Sequence, residues 1–320
     1  MKTLFLTLLI LTITGCGASR SQQAVSTEIV SDTPSDSEYR FDADSAYSYV
    51  AKQVAFGPRV PNSEAHRKAG DWMASELRRH GADVIEQRAD LKAFDGTMIH
   101  ARNIFGRINP EASNRILLLA HYDCRPWADQ DPDPQKRHQP VDGANDGASG
   151  VGVILEVARQ LKASGSKAGV DFLFVDAEDW GTDGDDESWA MGARYFAQNP
   201  PVEGYRPVKA ILLDMVGGKD ASFPREVFSM QYAPDLSMEF SQAANRAGVS
   251  SRFPDTPGGA ITDDHLELLK VGIPAIDIIE FNPRSGFNPT WHTTSDNMEN
   301  ISAETLGSVG KALISFISSN

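Results

Sequence analysis

Side chains that bind metals or move protons follow three short apolar runs of this sequence. The runs are 116–120, 170–175 and 208–213, and the residues that follow them are His121, Asp123, Asp176, Glu178, Asp179 and Asp214. Carboxylate oxygen and imidazole nitrogen are ligands that zinc accepts. One polar cluster of this kind is typical of a solvated loop, but three in succession indicate a site. The sequence therefore predicts a metal centre.

The elements that carry these residues can be predicted from the apolar pattern. The three runs, and a fourth at 275–279, do not alternate with polar residues, which predicts strands buried on both faces. Apolar residues recur at helical spacing in 65–77, 154–161 and 306–316, and the first and last of these helices have Asn62 or Ser63 and Ser302 as candidate caps. We expect a three-layer α/β/α fold around a central mixed, mostly parallel sheet.

Two more candidate ligands lie outside the strand ends. Asp146 lies in the Gly-Ala-Asn-Asp-Gly run 143–147, just before the helix that begins near Ser149, and His292 follows Trp291. In such folds, substrates and cofactors bind beyond the carboxyl ends of the strands, where connecting loops converge. Three protein ligands would leave one position of a zinc ion open for substrate.

Five short motifs of this sequence resemble those of a known family. The motifs are Gly143-Ala144-Asn145-Asp146, Glu178-Asp179, Leu213-Asp214, Asp263-Asp264-His265 and Trp291-His292. They resemble the zinc aminopeptidase superfamily of the M28 type and, within it, the glutaminyl cyclases. The resemblance extends from about Phe56 to the C-terminus.

The resemblance implies a role for each matching residue. One zinc ion would be bound by Asp146, Asp179 and His292. Glu178 would be the general acid and base, Asp214 and Asp263 would support it in an acidic hydrogen-bond network, and Trp291 and Trp189 would be walls of the substrate pocket. Asp179 stands where animal cyclases have glutamate, and its shorter arm requires the strand end to lie closer to the metal.

The expected reaction is the cyclisation of an N-terminal glutamine to pyroglutamate. The α-amine attacks the side-chain amide carbon and ammonia leaves, so the expected partners are peptides or exported proteins with N-terminal glutamine. Zinc would polarise the γ-carbonyl, and Glu178 would take a proton from the amine and return it to the leaving nitrogen.

Two alternatives remain open. A dizinc aminopeptidase of the same superfamily would bind a second metal at His121 and Asp123 and would hydrolyse peptide bonds. The Trp291-His292 pair and the run 296–300 that follows it favour the cyclase, in which His121 and Asp123 would be structural. An exported binding lipoprotein with an inactive hydrolase fold is the other alternative, and the presence of Glu178 argues against it.

The first 16 residues predict where the protein is located. Lys2, an apolar stretch at 4–13 and Ile-Thr-Gly-Cys ending at Cys16 resemble a bacterial lipoprotein signal, and the stretch is too short to span a bilayer comfortably. We expect a signal peptide at 1–16 with lipidation of Cys16, a flexible tether at 17–40 and a single catalytic domain at 41–320. The mature protein would be anchored by lipid in the bacterial cell envelope, at the periplasmic or the outer-membrane face.

Composition excludes one class of partner. The 320-residue chain has a formal net charge of −14, which repels nucleic-acid phosphates. The acidic run 181–187 is predicted to be a solvated loop over the pocket mouth, with a preference for a basic second residue of the peptide as its functional interpretation.

Three other features have structural interpretations. The segment 129–140 is predicted to be a rigid acidic surface loop. Cys124 is expected to be a buried apolar group rather than a nucleophile. His265 is expected to be a locally hydrogen-bonded histidine outside the ligand set.

Overall fold

The computed structural model describes residues 40–320. The signal peptide predicted at 1–16, including Cys16, lies outside the described residues, and so does the tether predicted at 17–40 apart from its last residue. Among the helices of the described part, none is both long enough and apolar enough to cross a membrane.

A six-stranded mixed sheet forms the centre of the described part. Its strands are β1 (Asp83–Lys92), β2 (Met98–Ile108), β3 (Arg115–His121), β4 (Gly169–Val175), β5 (Lys209–Asp214) and β6 (Ala275–Ile279). Their order in the sheet is β1-β2-β4-β3-β5-β6. Strands β3, β4, β5 and β6 are mutually parallel, whereas β2 is antiparallel to both of its neighbours, β1 and β4. The predicted mixed, mostly parallel sheet is confirmed, and all four apolar runs are strands.

Eight α-helices accompany the sheet within residues 40–320. They are α1 (Ala43–Val54), α2 (Glu64–Arg79), α3 (Ala148–Ser164), α4 (Met191–Gln198), α5 (Val227–Tyr232), α6 (Pro234–Arg246), α7 (Asp264–Lys270) and α8 (Ala303–Ser318). The predicted caps are confirmed for two of them. Ser63 accepts a hydrogen bond from the backbone N–H of His66 in α2, and Ser302 accepts one from Thr305 in α8.

The two faces of the sheet have separate apolar cores, which explains the lack of alternation in the strands. In β3, Leu118 and Ala120 belong to the core beneath α1, α2, α3, α6 and α8. Their neighbours Leu117 and Leu119 belong to the core on the opposite face, which includes residues of α4 and α7. Since both faces are covered by helices, every position of the strand is buried, and the three-layer α/β/α fold is confirmed.

Candidate metal centre and active site

The carboxyl ends of the parallel strands bring the predicted site residues together. β3 ends at His121, β5 ends at Asp214, and the loop after β4 carries Glu178 and Asp179. The Nε2 atom of His121 lies 3.1 Å from Oδ1 of Asp214 and 2.9 Å from Oδ1 of Asp146. Parallel neighbours end at the same edge of a sheet, so residues that are far apart in sequence meet there.

The three predicted zinc ligands form one buried group. One ligand atom from each of Asp146, Asp179 and His292 lies within 4.8 Å of the others. His292 Nε2 is 3.1 Å from Asp179 Oδ1 and 3.6 Å from Asp146 Oδ2. Within residues 40–320, Asp179 Oδ1 is buried and accepts no hydrogen bond. Two buried carboxylates, one with an unsatisfied oxygen, and an imidazole nitrogen fit a zinc ion. The role of these residues as ligands stays a prediction.

The charges of this group favour a bound cation. Burial, and then the charge of Asp146, raise the pKa of Asp179. Burial also opposes ionisation of Asp146, but its hydrogen bond with His121 and the charges of His121 and His292 lower its pKa. Two close carboxylates repel each other when both are ionised. A divalent cation between them would replace that repulsion with attraction.

A second group of potential ligands shares one member with the first. Atoms of His121, Asp146 and Asp214 also lie within 4.8 Å of one another. Asp123, which the sequence pairs with His121, is in neither group and instead accepts the backbone N–H groups of Glu178 at 3.2 Å and of Asp179 at 3.1 Å. Asp123 therefore holds the loop that carries these two residues, and a second metal would have Asp214 as its partner to His121.

The turn that presents Asp146 is held by Asp296, which belongs to the run 296–300 of the sequence analysis but whose role was not predicted. Asp296 accepts the backbone N–H groups of Asn145 at 2.7 Å and of Asp146 at 3.1 Å. The glycine after Asp146 allows a close approach to β3, because a Cβ at Gly147 would lie 2.6 Å from Cε1 of His121. The turn can therefore place Asp146 against the end of β3 only with glycine at this position.

The segment 129–140 is only partly the surface loop predicted from its composition. Residues 132–140 are exposed, but Asp131 is buried and Asp129 is half-buried. Asp131 accepts hydrogen bonds from Thr294 N at 3.0 Å and Oγ1 at 2.7 Å, and Asp129 Oδ1 lies 3.5 Å from His292 Nδ1. The prediction is wrong for these two acids, which hold the segment that carries His292.

Buried carboxyl groups next to the metal group are suited to proton transfer. Burial raises the pKa of Glu178 well above its usual value, against the charge of His121 and with that of Asp263. Burial, and then the charge of Asp214, raise the pKa of Asp263 to about 7. Burial also raises the pKa of Asp214, against its hydrogen bond with His121. A carboxyl whose pKa lies nearer to neutrality both accepts and returns a proton readily.

A cavity of about 350 Å³ joins the acidic and the aromatic parts of the site. The predicted residues in its lining are Asp146, Glu178, Asp179, Trp189, Asp214, Asp263, Trp291 and His292. Trp291 stacks on His292 with ring centroids 3.8 Å apart, and Trp189 lies nearly parallel to His292 at 6.1 Å. The cavity is large enough for one amino-acid side chain and its amine, and apolar residues such as Ile261 and Phe287 complete its wall.

Cys124 and His265 do not line this cavity. Cys124 is buried, and burial raises the pKa of its thiol, which fits a packing role rather than a nucleophilic one. His265 is buried with its Nε2 atom 3.3 Å from Oε2 of Glu226. Neither ring nitrogen of His265 makes a hydrogen bond of regular geometry within the part that the structure describes. Glu226 was not predicted, since nothing in its sequence neighbourhood indicates this partner.

Known proteins are similar to this chain in sequence and fold. The sequence model of peptidase family M28 matches residues 103–317. A glutaminyl cyclase from Bacteroides thetaiotaomicron, in a crystal structure with N-acetylhistamine bound, is 47% identical with a TM-score of 0.86 and covers 88% of this chain and 99% of its own. A Zn-dependent exopeptidase from Parabacteroides distasonis is 50% identical with a TM-score of 0.85, over 88% of this chain and 99% of its own. Glutaminyl-peptide cyclotransferase from Bos taurus is 25% identical over 289 residues, which is 81% of this chain and 77% of that protein.

Proposed function

The chain belongs to peptidase family M28, and we propose that it is a glutaminyl-peptide cyclotransferase, which converts N-terminal glutamine of peptides and proteins to pyroglutamate and ammonia. The observation that carries this function is the 47% identity with a glutaminyl cyclase over 88% of the chain. The geometry supports it, because Glu178 and the group Asp146, Asp179 and His292 line one cavity with two tryptophans. The family is zinc-dependent, and we infer that this chain binds one zinc ion at that group.

The metal group and Glu178 have separate tasks in this reaction. A zinc ion held by Asp146, Asp179 and His292 would supply positive charge to polarise the γ-amide carbonyl of the substrate glutamine. Glu178 accepts a proton from the α-amine as its nitrogen forms a bond to the γ-amide carbon. Glu178 then returns the proton to the amide nitrogen, the bond from that nitrogen to carbon breaks, and ammonia leaves. No water enters, so one carboxyl group serves both proton transfers.

The other residues of the cavity support Glu178 and orient the substrate. Burial and then the charge of Asp263 raise the pKa of Glu178, and burial and then the charge of Asp214 raise that of Asp263, so Glu178 can hold the proton between its two transfers. Trp291 and Trp189 lie at the cavity wall on either side of the glutamine side chain in the arrangement that we propose. Aromatic walls exclude water and leave the amine and the amide carbon in contact.

A dizinc aminopeptidase is the second candidate, and two observations favour it. His121, Asp146 and Asp214 are close enough to hold a second metal ion, and the similar exopeptidase from Parabacteroides distasonis is 50% identical. The experiment that separates the two functions is mass spectrometry on one peptide that begins with Gln and one that begins with Leu. Loss of ammonia from the Gln peptide alone supports the cyclase, whereas release of the first residue from either peptide supports the aminopeptidase. The Glu178→Ala variant controls for spontaneous cyclisation.

We also propose that the enzyme is a lipoprotein of the bacterial cell envelope, anchored through Cys16. The apolar stretch at 4–13 and the Ile-Thr-Gly-Cys sequence ending at Cys16 support this. Lipid labelling of the full chain and of its Cys16→Ser variant in cells tests it. Labelled fatty acid should become attached to the full chain with Cys16 and not to the Cys16→Ser variant. Equal labelling of both proteins would contradict the anchor.

A further inference from the structure

The two ring nitrogens of His292 face different partners. Nε2 faces the carboxylates of Asp179 and Asp146, at 3.1 and 3.6 Å. Nδ1 lies 3.5 Å from Oδ1 of Asp129. A neutral imidazole carries a hydrogen on one nitrogen and a lone pair on the other. A hydrogen on Nδ1 directed toward Asp129 leaves the lone pair of Nε2 directed toward the metal group.

Asp129 is itself held in place by a buried guanidinium. Arg125 is almost completely buried, and it donates hydrogen bonds from Nε to Asp129 Oδ1 at 3.2 Å and from Nη2 to Asp129 Oδ2 at 2.6 Å. Such a two-point contact fixes the plane of a carboxylate as well as its position. Oδ1 of Asp129 therefore has little freedom to move away from His292.

The same guanidinium also holds the segment that carries a second predicted ligand. Nη1 of Arg125 donates to the backbone carbonyl of Asp179 at 3.0 Å and to that of Gly181 at 2.8 Å. The guanidinium lies over the rings of Trp127 at 4.9 Å and of Trp189 at 4.8 Å. Arg125 thus contacts the loop after β4 directly and the His292 segment through Asp129.

We propose that Asp129 is a positioning residue that orients His292 for metal binding, and that Arg125 holds Asp129 and the Asp179 segment in the matching arrangement. The inference rests on the zinc site of the proposed function. Carboxylates that accept the second N–H of a metal-binding histidine strengthen metal affinity, and their loss costs about 10- to 100-fold. The arrangement in this chain adds a shared guanidinium that joins the supports of two ligands.

Zinc affinity, measured by competition with a chromophoric chelator, tests the proposal without relying on catalysis. The Asp129→Asn variant should bind zinc about 10-fold or more weakly, and Arg125→Lys, which keeps the charge but loses the two-point contact, should also bind it more weakly. Asp133→Asn is the matched control, because Asp133 is an exposed acid of the same segment. Circular dichroism and urea unfolding of the metal-free proteins show whether each variant is folded.

A double-mutant comparison separates positioning from a general structural effect. If Asp129 acts through His292, Asp129→Asn should weaken zinc binding in the unchanged protein but not further in the His292→Ala variant. Unchanged zinc affinity in Asp129→Asn, together with weak binding in His292→Ala, would overturn the positioning role and leave the ligand set intact. Unchanged affinity in His292→Ala would instead overturn the ligand set on which the proposed function rests.

Discussion

His121 and Asp214 lie at the ends of neighbouring parallel strands, and their side chains meet with Nε2 3.1 Å from Oδ1. The same nitrogen lies 2.9 Å from Oδ1 of Asp146. One hydrogen on this nitrogen can serve the two carboxylates, and it then leaves no lone pair for a metal. A second metal ion would have to replace this contact. The contact therefore favours the one-zinc cyclase over the dizinc aminopeptidase.

We predict that the purified protein contains one zinc ion per chain. Elemental analysis after exhaustive dialysis against metal-free buffer measures the ratio. The His121→Gln variant should retain the same ratio, since His121 is not a member of the proposed ligand set. A ratio of two that falls to one in His121→Gln would show that His121 binds a second metal and would favour the aminopeptidase.

Replacement of Glu178 by Gln should abolish most of the turnover and leave zinc bound. Glutamine keeps the size of the side chain but cannot accept the proton of the amine, so kcat should fall on the order of 100- to 10,000-fold. Ammonia release from a Gln peptide measures kcat, and elemental analysis measures zinc. Glu187→Gln is the control, because Glu187 is exposed and pairs with Arg194 and Lys270. Full activity of Glu178→Gln would remove Glu178 from the mechanism.

The parts of the fold that could be predicted are those with a strong local pattern. Three helices have apolar positions at regular spacing over several turns, and four strands are continuous apolar runs. The helices α1, α4, α5, α6 and α7 were not predicted, and of these Val227–Tyr232 and Asp264–Lys270 are too short to show a periodic pattern. Strands β1 and β2 were not predicted either. Both contain charged residues, and no residue of the edge strand β1 is fully buried.

The site was predictable where strand ends position its residues and not where distant segments do. Asp214 follows an apolar run directly, so its place at the sheet edge can be read from the sequence. Asp296 contacts the backbone of Asp146 from 150 positions further along the chain. Asp131 contacts Thr294 from 163 positions away. No local pattern encodes such pairs, because packing of the loops over the sheet brings them together.

Removal of the Trp291 ring should weaken substrate binding more than it slows the reaction. The ring of Trp291 stacks on that of His292 with centroids 3.8 Å apart, is tilted against that of Phe287 at 4.6 Å, and lines the cavity. We expect KM for a Gln peptide to rise about 10-fold in Trp291→Ala, which corresponds to about 1.4 kcal/mol of binding. Trp72→Phe is the control, because Trp72 packs on Tyr49 and Phe56 instead. KM of this variant should equal that of the unmutated protein. An unchanged KM in Trp291→Ala would place the glutamine side chain elsewhere.

Neutralising the acids at the cavity rim should reduce the preference for basic peptides. Asp183 and Asp186 line the cavity, and in the described part of the chain neither carboxylate has an ion pair. We expect the double variant to Asn to lower kcat/KM several-fold for a Gln-Arg peptide relative to a Gln-Ala peptide, with the difference shrinking at high salt. Asp185→Asn is the control, since Asp185 does not line the cavity. If the ratio for the two peptides stays constant, the loop is only a solvated surface.

The fold should lose stability below neutral pH because of His80. His80 is buried with its Nε2 atom 2.9 Å from the hydroxyl of Tyr49, and burial, followed by the charge of Arg79, lowers the pKa of His80 from 6.5 to about 4. The unfolded chain therefore binds a proton at this residue between pH 6.5 and 4 that the folded chain does not bind. The contribution of His80 is fully present above pH 6.5 and is lost as the pH falls toward 4.

Urea unfolding at pH 7.5 and pH 5 measures this loss against a matched variant. Because a proton that binds only the unfolded state costs about 1.4 kcal/mol per pH unit, the unchanged protein should lose about 2 kcal/mol more than His80→Gln over this range. Other titrating groups are common to both proteins, so the comparison cancels their contributions. Equal losses in both proteins would mean that His80 takes up its proton without unfolding, through movement of Arg79 or entry of water beside Tyr49.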